Sequence, residues 1–269
     1  MPKEQDTPLT TDSWNLIKLI ERLAFRTWPA EETIECGDFV FRASQGITKR
    51  ANSVWTSTGS PFPESNWLEQ AKHFYERHTL PLLFHISNVS PPGLDKQLAD
   101  AGYIVEAPCS VLTGETAIVI ANTPDSDSSD DEWEITVTPH ANSAWIDEFL
   151  LAEQFDASKR AFYEKVLSRI QPLKGFFSFK INGQCAAVAT VVLEEGWAGI
   201  TNVAVVPERR GQGIGRVLLH ELALWCKDQG AHHLYLQVVQ DNIPAWRLYT
   251  KAGFTPLYEY HYRREPLQS

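Results

Sequence analysis

The sequence predicts an α/β protein with two tandem modules of one plan, each a mixed, twisted sheet flanked by helices. Three observations support this prediction. The chain has 269 residues, which is long for one domain and comfortable for two. Apolar residues alternate in some segments and recur at helical spacing in others, which is the pattern of a mixed α/β fold. A stretch rich in Ser and Asp lies near the middle of the chain and separates the two halves.

The elements of the second half are the clearest, in the order strand, helix, helix, three strands, helix, strand, helix, strand. Asn142 or Ser143 fits the cap of its first helix, and Asn242 fits the cap of its last one. The pair Asn182-Gly183 is typical of a tight turn between paired strands. The predicted strands span 134–137, 175–181, 184–193, 197–206, 233–239 and 255–263, and the predicted helices end at residues 151, 170, 229 and 251.

The first half repeats this plan at a constant offset of 151 positions. The aligned pairs are 101–103 with 252–254, 83–87 with 234–238, 68–74 with 219–225, and 51–55 with 202–206. Agreement at one offset across several elements indicates an internal duplication. Chance matching of apolar residues is the alternative.

The formal charge of −10 is spread unevenly along the chain. Six acidic residues and no base lie between residues 121 and 134. Because this stretch is also poor in apolar residues, we interpret 121–133 as a solvated linker between a first module at 1–120 and a second at 134–269. The ordered Asp and Gly spacing of a calcium loop is absent. The negative charge also argues against nucleic-acid binding, which needs a basic surface.

Other features favour the cytoplasm. The longest apolar run, Ala186–Leu193, is far shorter than the ~18 residues of a membrane span, so we expect no membrane partner. The first residues are polar and acidic, unlike a signal peptide. The four cysteines are far apart and form no metal-binding pairs, so we expect no metal and a reducing compartment. We expect a monomer or a homodimer, since a fused pair of modules can replace a dimer.

A glycine-rich turn at residues 207–215 carries the most chemical information. It follows a predicted strand and leads directly into a helix. Its three glycines, Gly211, Gly213 and Gly215, let backbone N–H groups converge, and the helix N-terminus adds a partial positive charge. Its cations are Arg209, Arg210 and Arg216. This arrangement predicts an anion site sized for a pyrophosphate. A Walker loop is excluded because no Gly-Lys-Ser/Thr follows, and a Rossmann fingerprint fits poorly.

The stretch Arg210-Gly-Gln-Gly213-Ile-Gly215 resembles the Arg/Gln-x-x-Gly-x-Gly/Ala motif of the GCN5-related N-acetyltransferase (GNAT) superfamily. Downstream, residues 241–254 resemble the second cofactor-binding segment of that superfamily. The resemblance covers about residues 135–263, with both segments on the expected elements. It implies an acetyltransferase fold in the second half and acetyl-CoA as the acyl donor.

The resemblance also implies which residues bind acetyl-CoA. The backbone of Val203–Val205 would pair with the pantetheine arm, and the turn would hold the pyrophosphate through its main-chain amides. Asn242 would hydrogen-bond the pantetheine, Ala245 would leave room for it, and Arg247 and Lys251 would lie near the adenosine. The implied binding residues are Val203, Ala204, Val205, Arg210, Gly211, Gln212, Gly213, Ile214, Gly215, Arg216, Asn242, Ala245, Arg247, Tyr249 and Lys251.

The resemblance assigns catalysis to direct attack of an amine on the thioester. Tyr249 matches the tyrosine that protonates the departing thiolate, and the backbone N–H of Val205 would stabilise the oxyanion. Many relatives place a glutamate base six positions before the residue that matches Val205, but this sequence has Gly199 there. Glu195 is a possible base instead. Glu194, Glu259 and His261 are further candidates, although each is more often an exposed charge at a strand end.

The first half departs from the motif. The 151 offset places residues 58–64 at the cradle, without its arginines or glycine triad, and places Leu98 at Tyr249. We therefore expect a degenerate module that does not bind the cofactor. Its polar residues Arg42, Asn52 and 48–50 would line a substrate cleft or, as the more common alternative, form a solvated surface.

These observations predict an acetyl-CoA-dependent N-acetyltransferase whose second module is catalytic. The expected acceptor is a primary amine, most often of a small molecule, which reacts in a ternary complex. A lysine side chain or a protein N-terminus is the alternative acceptor. A non-catalytic acyl-CoA sensor is the alternative outside enzymes, since the strand glutamate is missing. In a third interpretation, the first module is a protein-interaction platform that presents a partner to the second module.

Overall fold

A computed structural model describes residues 10–62, 66–125 and 132–266. Within them the chain forms one continuous sheet flanked by helices. The strands are β1 (Glu32–Cys36), β2 (Phe39–Ala43), β3 (Val54–Trp55), β4 (Leu83–Ser87), β5 (Ile104–Glu115), β6 (Trp133–Thr138), β7 (Leu173–Ile181), β8 (Gln184–Glu194), β9 (Trp197–Val205), β10 (His233–Val239) and β11 (Thr255–Arg264). The helices are α1 (Thr11–Arg26), α2 (Trp67–Arg77), α3 (Leu94–Asp100), α4 (Thr116–Asn122), α5 (Ser143–Glu153), α6 (Arg160–Ser168), α7 (Ile214–Asp228) and α8 (Ile243–Ala252).

The two halves of the chain exchange their last strands. The strand order is β1-β2-β3-β4-β11-β5-β10-β9-β8-β7-β6. Strand β5, from the first half, lies antiparallel between β10 and β11, and β11, from the second half, lies antiparallel between β4 and β5. The predicted mixed α/β class is therefore present, but the sheets of the two halves join into one. The division at 121–133 stays a prediction: 126–131 lie outside the described residues, and 121–122 close helix α4.

Local signals in the second half correspond to observed elements. Asn142 caps α5 by accepting from the N–H of Trp145 at 2.9 Å, and Asn242 caps α8. Asn182 and Gly183 join β7 to β8 with φ angles of +52° and +74°, as a type I′ turn requires. The helix predicted to end at 170 starts as a short 3-10 turn and ends at Ser168.

The strand expected at 51–55 is reduced to Val54–Trp55 and follows a 3-10 turn, Lys49–Ala51. Asn52 explains the difference. Its side-chain oxygen accepts from the N–H of Ser44 at 2.6 Å, and its amide nitrogen donates to the carbonyl of Thr48 at 2.7 Å. These local bonds replace the strand ladder, which is the usual effect of Asn side chains on nearby backbone.

The repeat of elements at the offset of 151 is present in the structure. Helices α2 and α3 correspond to α7 and α8, and strands β4 and β5 correspond to β10 and β11. The glycines that end the third and eighth helices, Gly102 and Gly253, both have positive φ. Because the repeated last strands are the exchanged ones, β5 and β11 lie side by side near the centre of the sheet.

The helices form layers that define where a site can open. On the second half of the sheet, α4, α7 and α8 cover one face, and α5 and α6 cover the other together with Trp28 from the first half. Apolar side chains on these faces are removed from water, which is the main source of stability for such a core. Within the described ranges, no helix is both long and apolar enough for a bilayer.

Candidate functional site

Strands β9 and β10 separate to form a cleft. They pair in parallel only from Trp197–Ile200 and His233–Leu236, and beyond these residues they diverge. Strand β9 carries one additional residue relative to β8, and Asn202 at this bulge has a φ of +53°. A bulge increases local twist and bends the strand, so it turns β9 away from β10. The result is a cleft of about 260 Å³.

Residues from both halves of the chain line this cleft. Its walls include the diverging strands, α5, α6, α8 and the segment around the first 3-10 turn. The lining residues include Trp28, Thr48, Arg50, Glu153, Tyr163, Asn202, Val203, Gln237, Asn242, Ala245 and Tyr249.

The edge of β9 that faces the cleft carries backbone groups without a strand partner. The N–H of Val206 donates to the carbonyl of Ala186 on β8 at 3.0 Å. Backbone N–H groups of successive strand residues point to opposite edges, so the N–H of Val205 points away from β8, toward the side on which β10 diverges. Val203 has the same orientation by alternation. This edge is able to pair with a ligand that carries amide groups, as an extended peptide pairs with a sheet edge.

The glycine-rich turn connects β9 to α7 and leaves open space beside two of its glycines. Gly211 and Gly213 have φ angles of +77° and +85°, and a Cβ at either position would meet no atom within 4 Å. Glycine is therefore needed there for backbone conformation rather than for space. At Gly215 a Cβ would lie 2.9 Å from the end of the Leu248 side chain on α8, so a larger residue there would require Leu248 to shift. The N–H groups of 211–215 have no backbone acceptor in the described ranges, and they lie at the N-terminus of a 15-residue helix.

Arg210 braces this turn through its side chain. Its Nε donates to the carbonyl of Val205 at 3.0 Å, and one terminal nitrogen donates to the carbonyl of Ala152 at 3.2 Å. The guanidinium therefore ties the turn to the end of β9 and to α5. Gln212 donates to the carbonyl of Glu208 at 2.9 Å and closes the turn from within.

Tyr249 is one of two phenols that line the cleft, the other being Tyr163. It is buried, its ring packs edge-on against Phe254 at 5.9 Å, and its hydroxyl has no hydrogen-bond partner among the described residues. Burial raises the pKa of Tyr249 to about 12, so the phenol keeps its proton at physiological pH. Asn242 and Ala245 lie on the same helix and line the same cleft, where the Asn242 side chain accepts from the N–H of Ala245 at 3.2 Å.

Known proteins share both sequence similarity and the fold with this chain. Residues 139–254 match the model of the Acetyltransferase (GNAT) family. Over 247 residues the chain is 39% identical to the uncharacterized N-acetyltransferase YobR of Bacillus subtilis (strain 168), covering 92% of this chain and 98% of that protein. The chain belongs to the GNAT acetyltransferase family. It is an acetyltransferase, and GNAT enzymes generally use acetyl-CoA as the acyl donor.

Solved structures of other GNAT proteins have the same fold. A GCN5-related N-acetyltransferase from Kribbella flavida gives a TM-score of 0.69 at 16% identity, covering 94% of this chain and 96% of that one. A tandem GNAT protein from the clavulanic acid biosynthesis pathway gives 0.59 at 12% identity, covering 74% and 68%. The fold class predicted from the sequence, with tandem GNAT-like modules, is confirmed. A degenerate first module stays a prediction.

The structure of this GNAT protein brings some predicted site residues to the cleft and leaves others outside. Arg216, Arg247 and Lys251 are exposed on the outer faces of α7 and α8 and do not line it. Ile214 and Ala204 are buried in the core, so only their backbones are available. The adenosine contacts expected for Arg247 and Lys251 therefore stay predictions.

Glu195 lies in a position that does not suit a catalytic base. It sits in the turn before β9, whereas the cleft opens at the other end of that strand. Both carboxylate oxygens accept from Arg22, at 2.7 and 2.8 Å, and this pairing lowers the pKa of Glu195. Glu194 is likewise paired with Arg26, and His261 contacts Asp95 at 2.8 Å. These partners could not be read from sequence spacing.

Position 199 cannot hold the glutamate of many relatives in this packing. A Cβ at Gly199 would overlap the Tyr235 side chain on β10. Glu153, at the end of α5, instead supplies a carboxylate to the cleft. It is half-buried, and burial raises its pKa although Arg210, Arg50 and Lys159 act to lower it. The sequence analysis did not identify Glu153 as a site residue. Its only distinguishing feature along the sequence is its position next to the apolar run 149–152.

Proposed function

We propose that this GNAT enzyme transfers an acetyl group from acetyl-CoA to a primary amine in the cleft between β9 and β10. The observation that carries the proposal is that the diverging part of β9 and the side of Tyr249 line one cleft. Strand β9 would thus bind the donor, and Tyr249 would complete the transfer by giving a proton to the departing sulfur.

The residues present fit the donor. The backbone of Val203, which lines the cleft, and that of Val205 on the same edge of β9 would pair with the amides of the pantetheine arm. The N–H groups of 211–215 would bind the pyrophosphate, with the open space above Gly211 and Gly213 leaving room for it. Asn242 keeps amide N–H donors available while its oxygen caps α8.

The chain's own groups would then serve three tasks. Bound acetyl-CoA supplies an acetyl thioester that an amine can attack. The N–H of Val205 is oriented to stabilise the negative charge that develops on the carbonyl oxygen. Tyr249 holds a proton that it can give to the departing sulfur. The narrow cleft orients the amine and the thioester for direct reaction.

The first half would not bind acetyl-CoA, because the matching turn lacks the features of the cradle. At the 151 offset, residues 58–64 correspond to the glycine-rich turn and carry neither its arginines nor its glycine triad. Strand pairing itself is alike in the two halves, since Val54 and Trp55 pair in parallel with β4 as Gly199 and Ile200 pair with β10. Beyond this pairing, hydroxyl groups join the strands of the first half: Thr56 donates to the carbonyl of His85 at 2.6 Å, and the Ser57 and Ser87 side chains hydrogen-bond each other at 2.7 Å.

Two measurements on the intact chain test the proposal. Calorimetric titration with CoA should give one site per chain. Thiol release from acetyl-CoA should be stimulated by at least one member of a broad panel of primary amines. Two CoA sites would contradict the prediction that the first half does not bind the cofactor. Tight binding without stimulated release from any amine or peptide would favour an acyl-CoA sensor.

A further inference from the structure

We propose that the acceptor is a primary amine that also carries a carboxylate, held between Arg50 of the first half and Glu153 of the second. This inference rests on the proposed acetyl transfer and names the substrate class for the same cleft. Arg50 would bind the carboxylate and Glu153 would bind the ammonium group. The acceptor site would therefore be shared by both halves of the chain.

Arg50 is held in place with its hydrogen-bond donors unused. Its guanidinium lies over the Trp28 ring at 4.4 Å. The Trp28 side chain is itself buried, and its Nε1 donates to Thr48 at 2.9 Å, so the platform is rigid. Across the described residues, the Arg50 side chain makes no hydrogen bond or ion pair. A stacked guanidinium with five free donors is suited to bidentate binding of a carboxylate.

The other basic residues of this region are already engaged. Lys49 lies 3.4 Å from Glu106, and buried Arg42 donates to the carbonyl and the hydroxyl of Ser53. Arg210 is used by two backbone carbonyls. Arg50 differs from these neighbours because it lines the cleft and its guanidinium has no hydrogen-bond acceptor among the described residues.

Arg50 and Gln237 line two further cavities as well as the cleft. One of these cavities is also lined by Tyr260 and Cys109, and the other by Glu21 and His85. Gln237 is oriented by the Tyr260 hydroxyl, which donates to its oxygen at 3.0 Å, so its amide N–H groups stay available. An acid group bound by Arg50 therefore finds a second donor beside it.

Glu153 provides the opposite charge without pairing with Arg50. Both residues line the cleft, yet neither forms a direct ion pair in the part of the chain that the structure describes. Half-buried charges that face one cleft and remain unpaired are costly in a free protein, and a ligand with both charges removes that cost. A zwitterionic amine places its ammonium group at Glu153 and its carboxylate at Arg50. The amine nitrogen then lies in the cleft that Tyr249 also lines.

Matched pairs of amines test this inference. The probes are glycine, β-alanine and 4-aminobutanoate, each compared with its carboxamide, at a pH where the amine is charged. Wild-type enzyme should acetylate at least one acid at least tenfold more efficiently, in kcat/KM, than its carboxamide. Arg50→Gln should abolish that preference by raising the KM of the acid, with CoA affinity unchanged. Lys49→Gln is the control and should keep the preference.

The possible failures are distinguishable. Turnover with equal efficiency for acids and carboxamides, or a preference that persists in Arg50→Gln, would overturn the carboxylate inference and leave the acetyltransferase proposal intact. If CoA binds but no amine of the broad panel is acetylated, the proposed function itself fails and the acceptor class fails with it. Loss of the preference in Lys49→Gln alone would move the anion site away from Arg50.

Discussion

At the scale of single residues, Tyr249 combines burial with access to the cleft. A phenol whose pKa is raised to about 12 is protonated over the whole physiological range. We expect Tyr249→Phe to lower kcat by about 10²-fold, the usual range for loss of a general acid, without changing CoA affinity. Stopped-flow thiol release and calorimetry measure the two quantities. Tyr163→Phe removes a hydroxyl from another wall of the cleft and should retain kcat. An undiminished kcat in Tyr249→Phe would remove its acid role.

Glu153 predicts the pH dependence of the reaction. Burial raises the pKa of this carboxyl, and in the proposed acceptor site only its ionised form would bind the ammonium group and take a proton from it. Activity should therefore be lost as pH falls through a value above the ordinary range of glutamate. The nitrogen loses a second proton during acetylation, and this proton replaces the one that Tyr249 gives to the sulfur, so one proton is released in total.

The measurement is kcat/KM as a function of pH. Glu153→Gln should lower activity and remove the acid limb. Arg50→Gln should move that limb to higher pH, because a nearby positive charge that favours the carboxylate is gone. Glu148→Gln is the control, since Glu148 lies 3.5 Å from Lys180 and outside the cleft. An acid limb that Glu153→Gln leaves in place would assign it to another group.

At the scale of elements, two glycines with the same backbone conformation allow the conformational role of glycine to be distinguished from its role in cofactor binding. Gly213 and Gly230 have φ angles of +85° and +83°, and a Cβ at either position meets nothing within 4 Å. Alanine at each should therefore cost about 1 kcal/mol of unfolding free energy. Only Gly213→Ala should also weaken CoA binding, about tenfold or more, because it displaces the amides of the turn. Chemical denaturation and CoA titration test this, and equal CoA affinity in the two variants would contradict the cradle.

The elements also show what the sequence can and cannot predict. The glycine turn and the Asn caps are local signals, and the structure places them as expected. Tyr249 lines the cleft, and its catalytic role stays a prediction. Glu153 and Arg50 are about a hundred residues apart, and no pattern along the chain joins them in one cleft. The pairing of Glu195 with Arg22 is equally long-range. The carboxylate that faces the cleft therefore could not be predicted, because the tertiary contacts that place these residues are not encoded in the hydrophobic periodicity of the sequence.

At the scale of the whole molecule, the exchange of β5 and β11 decides how the halves depend on each other. Alternation of apolar residues predicts that 255–263 forms a strand but does not specify its neighbours, so the exchange was not predictable. Without β5, the cleft strand β10 would lose its partner along 233–239 and expose an open edge. The second half is thus completed by a strand of the first half, and we predict that the acidic stretch 121–133 serves only as the covalent connection.

Cleavage of that connection tests the dependence directly. A protease site inserted after residue 127 and cut in the purified protein should leave two fragments that stay associated, because β5 and β11 hold each in the other's sheet. The fragments should co-elute on size exclusion, unfold in one thermal transition and retain CoA binding. The uncut protein with the same insertion is the control. Fragments that separate under native conditions, with the second half still binding CoA alone, would show that each half folds as an independent module.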